Sequence, residues 1–172
     1  MDFLDLAKKR FSVRKYKPDI IKKEQLDKIL EAGRVAPTGA NRQPQRIVVV
    51  NNPESLEKLS KAANIFDAPL AFIICSDTSE TWVRSFDGKK LTDIDASIVT
   101  DHMMLQAADL GLGSLWICRF KVDVLRQEFN IPEYIEPVNI LAVGYADCEE
   151  ASPNRHSFAR KPIENTVFYN SF

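Results

Sequence analysis

Histidine and cysteine are scarce: the 172-residue chain has two of the first and three of the second. His102 and His156 stand far apart, with no partner at metal-ligand spacing, so no metal centre is expected. Cys75, Cys118 and Cys148 are odd in number and widely separated, and two of them sit in apolar runs. That pattern predicts reduced, buried thiols in a cytoplasmic protein and excludes a disulfide frame. Glycine is rarer than proline, six against nine, which excludes a collagen-like chain. No apolar run is long enough to span a bilayer, and the opening MDFLDLAKKR is charged and amphipathic where a signal peptide would be apolar. Neither sign of charge dominates. The 23 basic and 24 acidic side chains leave a net −1, so no global field recruits nucleic acid or an anionic membrane. Chemical signatures are missing too: there is no GxGxxG, GxxxxGK(S/T), GxSxG, HExxH or CxxC. A dinucleotide-binding Rossmann domain and a P-loop enzyme are therefore not expected.

What is present is a core. Hydrophobic residues make up 45% of the chain, enough at this length for a single domain over residues 1–172. Its centre is Thr92–Phe120. Ile94, Ile98, Met104 or Leu105, Ala108 and Leu112 recur at helical spacing, with Ala96, Val99, Met103 and Leu110 adding apolar surface. The polar stripe Asp95–His102–Gln106–Asp109 is narrow, so most of this helix is expected to be buried. Thr92 or Asp93 is placed to cap its start, and Gly111 to end it in a left-handed turn with Leu112 folding back. SLWIC then reads as a short apolar strand.

In chain order, helices are expected over residues 2–9, 23–35 and Pro53 to about Ala63, and again over VDVLRQEF, stopped by Ile131-Pro132. Strands are expected at RIVVV, APLAFIICS and PVNILAVGYA, and in the tail at IENTVFYN, which has nothing after it to cover its edge. APTGANRQPQ is a loop, residues 77–91 a long loop, and 147–162 polar coil. Core strands separated by helices imply α/β or α+β.

The candidate chemistry is cationic. Arg10, Ser12 and Arg14 alternate, so in extended chain they face one way: forked donors and a hydroxyl suited to a phosphate. Pro37–Asn41 is a rigid polar loop able to hold a planar ligand, and Arg160-Lys161 adds two more cations. On their own these strings also read as solvated patches and a plain loop. His102 reads as a solvated or hydrogen-bonded structural histidine, and Cys118, among apolar neighbours, as a core thiol.

Taken in order, RFSVRKY, APTGANRQP, DAP before a strand, GLGSLWI and a late RKP resemble the FMN-dependent nitroreductase superfamily, in its compact form, over essentially the whole chain. The resemblance implies an α+β, three-layer fold with a mostly antiparallel central sheet flanked by helices. It implies an obligate homodimer with two FMN sites at the interface, and a C-terminal strand exchanged into the partner's sheet. By position, Arg10 and Ser12, flanking Phe11, would hold the FMN phosphate with Arg160 and Lys161, and Arg14 would sit at the pyrimidine edge. Pro37, Thr38, Gly39 and Asn41 would reach the cofactor from the other subunit. Trp116, Ile117, Cys118 and Arg119 would line one ring face, with a backbone N–H near Cys118 facing N5. No side-chain acid or base is implied. The activity implied is ping-pong hydride transfer from NAD(P)H to nitroaromatic, quinone or similar acceptors. Alternatives are a reductive dehalogenase or flavin-consuming member of the family, a flavin-storage protein, or a plain interaction module. Gln45 stands where the family often has an aromatic residue and Cys118 where it commonly has glycine, which bears on acceptor choice.

Overall fold

The computed structural model describes residues 2–172. Its sheet has four strands in the order β1-β2-β4-β3, all antiparallel: β1 Gln45–Val50, β2 Leu70–Asp77, β3 Gly113–Ile117 and β4 Ile135–Gly144. Helices α2 (Lys23–Val35) and α4 (Thr92–Asp109) cover one face; α3 (Pro53–Ala62) and α5 (Val122–Phe129) cover the other. The short α1 (Phe3–Lys9) packs on α4, and α6 (His156–Ala159) is a single turn near the C-terminus. This is the expected three-layer α+β fold.

Coverage on both faces explains why the central strands read as continuous apolar runs instead of alternating ones. Along β2, Ala71, Ile73 and Cys75 face the α3/α5 side, while Leu70, Phe72 and Ile74 face α2/α4. Each of the Leu, Ile and Phe side chains contributes about 1.5–3 kcal/mol when fully buried. Asn52 accepts from the Ser55 N–H at 2.9 Å to start α3, and Pro53 takes the first helical position, where its missing N–H costs nothing.

The central helix departs from expectation at its start. Neither Thr92 nor Asp93 caps it; Leu91 holds the cap position without a side-chain bond, its carbonyl accepting from Asp95 N at 2.9 Å. The buried line is Ala96, Val99, Met103 and Ala107, and Ile94 is exposed. Asp95 is no part of a solvated stripe: it is 1% exposed, because the chain after α2 folds back over it. The helix end is as expected. Gly111 takes φ +75°, and Leu112 N donates to Ala107 O at 2.9 Å. α5 covers VDVLRQEF as expected, and Asn130 caps its end with φ +51°.

Two further expectations are corrected. β3 ends at Ile117, so Cys118 lies beyond it and is exposed, as is Cys148; only Cys75 is a buried thiol. The tail forms no strand within the chain. Ile163–Asn165 is one 3-10 turn, and every residue from 157 to 172 is exposed, because no sheet edge of its own chain lies against it. Among the described residues, no helix is long and apolar enough to cross a membrane.

Candidate functional site

The segment after α1 runs along the free edge of β3. Ser12 pairs with Ser114 in a parallel bridge, Val13 N donates to Ser114 O at 3.0 Å, and Lys17 N donates to Tyr145 O at 2.8 Å. Tyr16 fastens it from below, its buried hydroxyl donating to Val13 O at 2.9 Å. Burial pushes the Tyr16 phenol well above its ordinary range, so it stays a donor. With Val13 buried and Phe11 packed on the sheet, Arg10, Ser12 and Arg14 fall on the opposite, outer side. The alternation expected from the sequence is what the backbone adopts. The approach is close: a Cβ at Gly113 would stand 2.6 Å from Val13 Cγ2.

Beside Arg10 the chain returns from its far end. Arg155 Nη2 donates to Arg10 O at 2.6 Å, and its Nη1 donates to Ser152 O at 2.9 Å. Burial first, then Arg155 and Arg160, hold the Arg10 guanidinium below its ordinary pKa, with Asp101 opposing them. Among the described residues none of these three arginines has an ion pair within 4.0 Å. Crowded cations without carboxylate partners make a ready anion site. Lys161 is exposed beside Arg160. Sequence reading missed Arg155, although it lies only five residues before Arg160, with α6 as the turn between them.

At the other end of the segment, Arg14 borders an open cavity of about 750 Å³ at the end of β3. Trp116, Ile117, Cys118, Arg119 and Phe120 line it, with Phe66 from the opposite wall. The extended run from Arg10 to Arg14 covers about 14 Å at most, so the anion site and the cavity stand at the two ends of one short segment. Crowded unpaired guanidiniums at one end and an aromatic-walled slot at the other suit a molecule with a phosphate and a flat ring, as FMN is.

Pro37, Thr38, Gly39 and Asn41 are elsewhere. Their loop leads into β1, at the sheet edge opposite β3, about three strand spacings or 14 Å across. One chain therefore gathers Arg10, Phe11, Ser12, Arg14, Trp116, Ile117, Cys118, Arg119, Arg160 and Lys161 on one edge and presents the loop on the other. His102 is half-buried, with its Nδ1 2.9 Å from Ile98 O, which is the hydrogen-bonded one of its two structural readings.

The sequence model of the Nitroreductase family matches residues 7–66 and 60–145. A nitroreductase family protein of Clostridium difficile has a crystal structure 53% identical in sequence, covering all of both chains with a TM-score of 0.98. An FMN-dependent nitroreductase of the same species is 30% identical, covers 99% of this chain and 100% of its own, and gives a TM-score of 0.80. An NADPH-dependent oxidoreductase of Staphylococcus haemolyticus is 29% identical over 98% of this chain and 73% of its own length. This chain belongs to the nitroreductase family of oxidoreductases.

Proposed function

We propose that this protein is an FMN-dependent oxidoreductase that carries hydride from NAD(P)H to nitroaromatic, quinone or similar small acceptors. The observation that carries the reading is the Arg10–Arg155–Arg160 cluster, without ion-pair partners, at one end of the Arg10–Arg14 segment and the aromatic-lined cavity beside Arg14 at its other end. Arg10, Ser12 and Arg160, with Lys161 alongside, would bind the phosphate; Trp116 to Arg119 would border the ring. When bound, FMN supplies two-electron hydride chemistry, used in two half-reactions by donor and acceptor in turn.

Arg14 is the residue for the pyrimidine edge, where reduction places negative charge that a permanent cation offsets. No side-chain proton donor is needed, in keeping with a groove that has no catalytic triad. The loop at the opposite edge could reach such a cofactor only from a second copy, which supports a homodimer with two sites, each completed by Pro37–Asn41 of the partner.

Purified protein should be yellow, and NADH or NADPH should bleach it under anaerobic conditions, with colour restored by an accepted substrate. Arg10→Ala removes a charge-assisted contact and should raise the FMN Kd about ten- to a hundred-fold. Colourless protein that takes up no added FMN would refute the reading; unchanged FMN affinity in the variant would remove Arg10 from the site.

A further inference from the structure

The loop Thr38–Gln43 is held in a conformation its residues disfavour. Ala40, Asn41 and Gln43 have φ of +48°, +54° and +53°, a region in which an L-residue's Cβ crowds the following carbonyl. Strain of this kind persists only where surrounding contacts over-determine it, and it collects at binding sites. Internal bonds close the loop: Gln43 N donates to Thr38 Oγ1 at 3.0 Å, and Gln43 Nε2 donates to Asn41 O at 3.1 Å. These do not fix it to the body of the protein.

Asp95 does. Its Oδ1 accepts the Gly39 N–H at 2.9 Å across 56 positions of sequence. Gly39 is pressed against the residues leading into α4, so that a Cβ there would stand 2.9 Å from Leu91 Cδ1 and 3.0 Å from Trp82 Cβ. Asp95 is 1% exposed, and its Oδ2 has no partner among the described residues. Burying an acid with so few hydrogen bonds is costly, and a neutral side chain would avoid that cost. What the side chain provides is an acceptor oxygen that reaches the Gly39 amide across the fold.

We propose that Asp95 is the positioning residue of the loop half-site: its bond to Gly39 holds Thr38–Gln43 in the left-handed geometry in which Thr38, Gly39 and Asn41 meet the flavin bound by a second copy. This rests on the FMN reading. Two measurements on the full-length protein separate the two claims, amide hydrogen exchange without FMN and FMN titration. Asp95→Ala should speed exchange over residues 36–44 while β2 and β4 stay as protected as in wild type, and should raise the FMN Kd about tenfold. Asp95→Asn keeps an acceptor oxygen for Gly39 and should restore both to within about threefold of wild type. Should Asp95→Ala not fold, Asp95→Ser, whose shorter side chain falls short of Gly39, serves in its place. Unchanged exchange over 36–44 overturns the latch whether or not FMN binds. Faster exchange with wild-type FMN affinity overturns its part in the site, as does failure of Asp95→Asn to recover affinity. A wild type that binds no FMN refutes the underlying reading and leaves the exchange result to decide the latch.

Discussion

Arg14 and Cys118 border the same cavity with opposite histories in the sequence. Arg14 is legible there, because alternation along RFSVR puts it on the outer side whatever the fold, and the structure keeps it exposed. Replacing it by Met keeps most of the bulk and deletes the cation. The two-electron potential of bound FMN should then fall below the wild-type value, as a redox titration with a reference dye would report; an equal potential would contradict its role. The exposure of Cys118 was not legible in its neighbours, although the family resemblance put it at the ring face. TrpIleCys reads as one apolar run, and only the place where β4 stops pairing decides that the thiol emerges into the cavity. Cys75 is buried, and burial above all pushes its thiol up to about 12 and leaves it protonated and inert at neutral pH.

Elements were easier to foresee than their faces. Helical period and the stops at Pro37, Gly111 and Pro132 delimit α2, α4 and α5 closely. The inward side of α4 differs from the one expected, since apolar residues lie all round it and the buried polar contacts of Asp95 and Thr100 are with Gly39 and Asn139, far away in sequence. Asp77, at the end of β2, ties two elements together. It accepts from Ser79 Oγ at 2.6 Å and from Arg46 of β1 at 3.2 Å. The Ser79 hydroxyl first, with its amide and the Arg46 charge, holds the Asp77 carboxyl below its ordinary value. A depressed acid contributes stability that is fully present above its unfolded pKa, about 3.9, and is lost as pH falls through the folded value. The melting-temperature gap between wild type and Asp77→Asn should therefore be constant from pH 6 to 7 and close below about pH 4. A gap unchanged at pH 3 would show that Asp77 acts by packing alone.

At the scale of the molecule, one chain leaves two things open: a half-site on each sheet edge, and an exposed tail rich in large apolar groups. Ile163, Val167, Phe168, Tyr169 and Phe172 are all uncovered, far more than a free end needs. A tail that crosses to a second copy and adds to its sheet would bury them and satisfy their backbone, and such exchanged interfaces are large and obligate. Deleting residues 163–172 should lower both dimer content and FMN occupancy, read by light scattering and flavin absorbance. A stable, fully yellow dimer of the truncated protein would mean the tail does not cross.

The sequence by itself determined the kinds and order of the elements, because hydrophobic period and Gly/Pro punctuation act within a turn or a strand. It also marked Arg10, Ser12, Arg14 and Arg160 as cations and donors in search of an anion. Only the tertiary structure decided what depends on residues far apart in the chain. Arg155 reaches Arg10 across 145 positions, and Asp95 reaches Gly39 across 56. The tail's strand-like alternation found no edge to pair with, since pairing needs a partner and no local pattern supplies one. Strand order then set the loop half-site on the opposite edge from the cations, because β1 and β3 lie at the two ends of the sheet.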